Sequence, residues 1–187
     1  MTSDLAGHFR AMARNNAWAN HRLLGACVAL RSADFAAPRT GFFPSLRATL
    51  NHLYVVDLYY LDALEQGGRG RAIFDRVAEI AVPAALRSAQ ARADCRLIAF
   101  CDAQDADSLA RRLPTDRGAP VPERVDALLA HLFQHQIHHR GQAHAMLAGT
   151  AVAPPQLDEF FLDYDRHPSA TELGFWPPER GAGGVAG

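Results

Sequence analysis

A helix whose buried seam is part imidazole constrains this chain more than any other feature. Five of the nine histidines, His131, His135, His138, His139 and His144, fall within fourteen residues. Read as an α-helix at about 100° per residue, Val125, Leu128, Leu132, His135, His139, Gln142 and Met146 share one stripe at the 3,4,3,4 spacing of a core-facing seam. His135 and His139 then stand one turn apart on that face, so both rings can reach one point beside the helix. That is the geometry of the helical His-x-x-x-His metal clip. Paired inward imidazoles also occur as hydrogen-bonded core residues, so a third ligand from elsewhere has to decide. His131 competes for the role, lying about 40° from His135. His138 and His144 point progressively away and read as exposed or capping residues.

A second helix, capped by Ser45 and ending near Gly67-Gly68, carries Leu46, Leu50, Leu53, Asp57, Tyr60 and Leu64 on one stripe, with Thr49, His52, Val56, Tyr59 and Ala63 beside it. His52 faces inward with that row and supplies the third imidazole if the two helices pack together. Asp57 has two roles open to it, orienting a ligand imidazole or pairing with an arginine. The first helix runs from a cap at Ser3 or Asp4 to about Leu30; Asn16 interrupts its apolar stripe, flanked by Trp18, Asn20 and Arg22. Residues 31 to 44 form a connection. A third long helix runs from Pro83 to about Ala103, its inward stripe set by Leu86, Ala89, Gln90, Ala93 and Leu97, and its polar side (Arg87, Arg92, Asp94, Arg96) is expected to be a solvated face. Residues 113 to 122 are turn-rich, with a short hairpin around Asp116-Arg117-Gly118. The histidine helix spans about Glu123 to Gly149. Asp158 to Tyr164 holds enough apolar area to dock as a short C-terminal helix, and Gly181 to Gly187 is expected to be disordered.

β-branched residues are scarce and no run alternates over strand length, so the class is all-α: a four-helix bundle over 1–165 and a partly disordered extension over 166–187. Nineteen basic residues against twenty acidic ones form no basic stripe, and nucleic-acid binding is not expected. Every basic residue is arginine, which excludes a Schiff-base lysine and a P-loop lysine. Cys27, Cys95 and Cys101 form no C-x-x-C pair and read as small core residues in a reducing compartment. With no apolar run of membrane-spanning length and no leader pattern, the expected location is the cytoplasm.

Four stretches together resemble the DinB family of metal-dependent four-helix-bundle proteins. They are Asn16-Ala-Trp18-Ala-Asn20-His-Arg-Leu23, Thr49-Leu-Asn-His52, His135-Gln-Ile-His-His139-Arg-Gly-Gln142 and Pro154-Pro-Gln-Leu-Asp158. The resemblance covers about residues 5 to 165. It implies that His52, His135 and His139 hold a divalent metal such as nickel, zinc or iron, and it sets His131 aside. It also implies a homodimer, an association with the stress response and, in some branches, transfer of low-molecular-weight thiols to electrophiles. Asn15 departs from the pattern, since relatives usually carry tyrosine there.

Three neutral imidazoles leave a tetrahedral ion one open position and an octahedral ion three, which is the mark of a catalytic rather than a structural site. The expected function is therefore a metal-dependent enzyme activating a thiol or water toward a small-molecule substrate. Gln142, Asn16 and Trp18 are the candidate substrate contacts; Gln142 could equally make a buried hydrogen bond, and Trp18 could equally be a core or interface side chain. Gln136 stands where the His-Glu-x-x-His motif places its glutamate, so peptidase action is not expected. The alternative is a non-catalytic, metal-stabilised bundle acting in sensing or protein interaction.

Overall fold

Ser45, Pro83 and Gly149 mark where long helices begin or end, and the local chemistry explains each. In the computed structural model, which describes residues 5–158, α1 spans Leu5–Val28, α2 Ser32–Ala36, α3 Leu46–Leu64, α4 Ala72–Arg76, α5 Pro83–Asp102, α6 Ala106–Ala110 and α7 Val125–Ala148. Ser45 Oγ accepts the Ala48 N–H at 3.1 Å and so satisfies an orphan donor of α3. Pro83 occupies the first turn of α5, where its missing N–H breaks no helical bond. Gly149 follows the last residue of α7. Two short helices lie outside the expected long ones, α2 within the 31–44 connection and α6 just after α5. The second is held by a capping box in which Asp105 and Ser108 each accept the other's backbone N–H.

The chain is mostly helical, and its strands among the described residues are β1 (Arg112–Asp116) and β2 (Pro120–Arg124), an antiparallel pair. This is the hairpin expected around Asp116-Arg117-Gly118. Its turn needs Gly118 at φ +96°, a region that costs glycine nothing. The Tyr59 hydroxyl donates to the Asp116 carbonyl at 2.6 Å, which fastens the hairpin to α3.

Helix α1 packs chiefly on α5, and α3 on α7, with further contacts between α3 and α5 and between α1 and α7. The apolar core divides into two main clusters. One gathers Phe9, Tyr60, Leu97 and Leu132, the other Leu23, Leu50, Leu86 and Leu147. The order in which each helix meets the clusters shows that α1 and α7 run one way while α3 and α5 run the other. Between the clusters each long helix carries polar residues at buried or half-buried positions: Asn16 and Asn20, then His52 and Asp57, then Gln90 and Asp94, then His135, Gln136, His139 and Arg140.

Two expectations are corrected. Asp94 is not part of a solvated face but is 2 % exposed, because it lies one turn past Gln90 on the inward stripe and finds hydrogen-bond partners there. Cys95, about 100° further round α5, is exposed, whereas Cys27 and Cys101 are buried as expected and burial pushes both thiols up to about 12. Phe9, Trp18, Tyr59 and Tyr60 are turned inward. No described helix is long and apolar enough to cross a membrane. The Ser3 or Asp4 cap, the short helix expected at 158–164 and the 166–187 extension fall, apart from Asp158, outside the described residues.

Candidate metal centre

Antiparallel packing of α3 on α7 sets His52 opposite the His135–His139 turn. One ligand atom from each of the three rings lies within 4.8 Å of the others. His52 Nε2 and His135 Nε2 are 3.0 Å apart. Two nitrogens bound to one ion at about 2.0–2.1 Å, subtending about 90–110°, would be separated by about 2.9–3.4 Å. The observed spacing therefore suits a shared ion. Gln142 orients the third ring: its Oε1 accepts from His139 Nδ1 at 2.8 Å while its Nε2 faces His138 Nε2 at 3.2 Å. With the proton thus held on Nδ1, the Nε2 lone pair of His139 is left for a ligand bond. His135 Nδ1 is buried with no hydrogen-bond partner, so nothing comparable orients that ring.

The connection before α3 covers the site. The Phe43 ring lies tilted 4.4 Å from His52 and 5.5 Å from His139, centroid to centroid, with Phe42 at 6.3 Å from His139. Burial, with the neighbouring imidazoles adding to it, pulls His52 down to about 4 and His135 to about 3. Both rings are therefore neutral near physiological pH, the form that binds metal. Three imidazole donors, one of them pre-oriented, under an aromatic cover, fit a divalent ion.

The sequence model of the DinB family matches residues 1–170. The chain belongs to the DinB family. No curated protein matches it. All four stretches that carried the resemblance lie inside the matched region.

Behind the histidines of this DinB protein lies a buried polar network that the sequence showed only in part. Arg140 Nη1 donates to Asn16 Oδ1 at 2.6 Å and to Asn20 Oδ1 at 2.9 Å. The Asn20 and Asn16 amides donate to Asp94 Oδ1 at 3.0 and 3.3 Å, and Gln90 Nε2 bridges Asp94 Oδ1 at 3.1 Å and Asp57 Oδ2 at 2.6 Å. Burial, and the charge of Asp57, push Asp94 up to about 7; burial pushes Asp57 up to about 6 and Arg140 down to about 10. One guanidinium cannot neutralise two buried carboxylates, so the pair retains about one proton near neutral pH. Of the two roles open to Asp57, neither is a direct contact among the described residues: Gln90 donates to its carboxylate, and the Arg140 charge acts on it without an ion pair.

The remaining candidates separate clearly. His131 is exposed, 6.4 Å from His135 ring to ring, and outside the three-histidine cluster. His138 is exposed, and His144 Nε2 lies 2.9 Å from the Pro155 carbonyl. Gln142 sits at the site. Asn16 and Trp18 are 2 % and 0 % exposed; Asn16 bonds to Arg140, the residue after His139, and Arg22 lies 4.9 Å over the Trp18 ring. Phe42, Phe43 and Arg140 were missed as functional neighbours. The signal for Arg140 was available, since Asn16, Asn20 and Gln90 on otherwise apolar stripes require a buried polar partner.

Proposed function

We propose that this DinB protein is a metal-dependent enzyme in which the four long helices form a bundle around a divalent ion, nickel, zinc or iron, held by His52, His135 and His139. Its reaction is transfer of a low-molecular-weight thiol to a small electrophile, or hydrolysis of a small molecule. One observation carries the reading: three imidazoles from two helices converge to within 4.8 Å, with Gln142 already holding His139 in the tautomer that binds metal. A bound ion would supply Lewis acidity, which favours the deprotonated form of a thiol or water near neutral pH. The chain's own residues do the rest. Gln142 fixes His139, Phe43 excludes water from one side of the rings, and Gln136, an amide, takes up no proton, which speaks against peptidase chemistry. Asn16 acts on the site through Arg140, and Trp18 through the packing of α1. A homodimer in the cytoplasm completes the proposal.

The test uses the full chain, stripped with chelator and reloaded with zinc, nickel or iron(II), given glutathione or cysteine and 1-chloro-2,4-dinitrobenzene. Metal-dependent turnover that disappears in His135→Ala supports the reading. Stoichiometric metal without turnover of this or a hydrolysable ester overturns the enzymatic part and leaves a metal-stabilised, non-catalytic protein.

A further inference from the structure

Beside the three histidines lies a cavity of about 360 Å³ that the metal site does not account for. This is within the range of small-molecule sites. One wall can be followed residue by residue: Arg117 Nη2 donates to the Tyr60 hydroxyl at 3.1 Å, the Tyr60 ring lies 5.4 Å from His131, and His131 lies 6.4 Å from the ligand ring His135. The wall therefore starts at a guanidinium on the hairpin turn and ends at the candidate metal centre. Tyr59 and Phe74, 5.2 Å apart, add flat apolar surface.

The charges in this cavity are unbalanced. Arg117 is exposed, sits 5.9 Å over both the Tyr59 and Tyr60 rings and forms no ion pair among the described residues, and Arg71, also in the lining, forms none either. The single lining carboxylate, Asp116, is taken by peptide donors: the Arg71 and Gly118 N–H groups reach it at 2.9 Å each and hold its pKa below the usual carboxylate range. Two guanidiniums thus face one carboxylate that is already satisfied. Most of the Arg117 N–H donors remain open, in the planar fork that matches a carboxylate.

We propose that this cavity binds a small organic carboxylate with a flat body, its carboxylate gripped by Arg117 with Arg71 and its ring or chain against Tyr59 and Phe74. The opposite end of the ligand meets His135. That this end is the one that reacts rests on the metal-enzyme reading above, whereas the anion grip does not. A carboxylate fits better than a phosphate monoester because the lining carries one net positive charge and a phosphate monoester brings nearly two negative ones.

The probe is benzoate, titrated calorimetrically into the full chain in metal-free and zinc-loaded forms, with the neutral isostere benzamide and with phenyl phosphate as comparisons. Saturable benzoate binding to the metal-free protein is expected, with benzamide at least tenfold weaker. Arg117→Met should weaken benzoate at least tenfold, and Arg117→Lys, which keeps the charge but loses the fork, should fall between. Zinc stoichiometry should be unchanged in both variants, and their helical circular dichroism should match the parent. Equal affinity for benzoate and benzamide, tighter binding of phenyl phosphate, or indifference to Arg117→Met overturns the proposal. So does benzoate binding that needs zinc and ignores Arg117, since the carboxylate would then sit on the ion. A chain that binds no zinc yet shows the Arg117-dependent benzoate affinity removes the metal-enzyme reading and leaves the anion site standing.

Discussion

Asp94→Asn should stabilise the protein above neutral pH and do little below about pH 4. The exchange replaces one oxygen by an NH₂ group and keeps an acceptor at Oδ1, where Asn16, Asn20 and Gln90 donate. Burial and the Asp57 carboxylate raise the Asp94 carboxyl from 3.8 to about 7 in the fold. A group whose pKa is raised by folding contributes stability that is full below its unfolded pKa and is lost as pH rises through its folded one. Three units at about 1.4 kcal/mol each give a total loss of about 4 kcal/mol, of which roughly 3 kcal/mol falls between about pH 5 and pH 8. The variant has nothing to ionise at this position and escapes that loss. His52 and His135 act with the opposite sign, costing stability as pH falls from about 6.5 toward 4, but they are common to both chains and cancel in the difference.

The assay is urea unfolding of metal-free parent and variant, followed by circular dichroism at pH 5, 6, 7 and 8. The variant's advantage should grow by about 1–3 kcal/mol across that range. A difference independent of pH, or one that shrinks as pH rises, would refute the argument that a second carboxylate is buried here against its own ionisation.

Three further outcomes are expected. His135→Ala should lose bound metal and keep its helical circular dichroism, because α7 still buries Leu128, Leu129, Leu132 and Leu147. His138→Ala should keep both its metal and its helical circular dichroism, since the Gln142 Oε1 bond to His139 does not depend on His138; metal content measured on both variants decides the register of α7. Gln142→Ala should weaken metal affinity by about 10–100-fold, the usual effect of removing a group that orients a ligand imidazole, with Gln142→Glu recovering most of it in a competition titration. Gly70→Ala should cost about 1–2 kcal/mol or more, because Gly70 sits at φ +51° and a Cβ there would meet Asp116 Oδ2 and Cβ at 2.7 and 2.8 Å; thermal unfolding measures it.

What the sequence made legible was whatever follows a local period. The long helices, the Ser45 cap, the Pro83 start and the inward rows of His52, His135 and His139 are all consequences of 3.6-residue repetition and end chemistry, which a single helix reveals without its neighbours. The hairpin was readable from Gly118 for the same reason. Asp94 and Arg140 were not, because a charged residue on a helix reads as solvated until a partner on another helix is known. Asn16, Asn20 and Gln90 gave the hint that polar partners meet inside, yet which groups answer them depends on how α1, α5 and α7 are juxtaposed. Phe43 and Arg117 lie on connections, and nothing periodic says that one covers the histidines while the other reaches back over Tyr60. The Cys95 error was one of angle: one residue past the inward stripe is about 100° off it.

The three imidazoles are shared unequally among the helices, two on α7 and one on α3, with none on α1 or α5. An ion there would act as a rivet through one helix pair alone, joining residues 83 positions apart in the chain at His52 and His135. Helices α1 and α5, which hold each other through their own extensive packing, would feel it only at second hand, by way of Arg140 and its asparagines. Removing the rivet should therefore loosen the molecule along a seam rather than throughout, with amide hydrogens in α3 and α7 exchanging faster while those of α1 and α5 keep their protection.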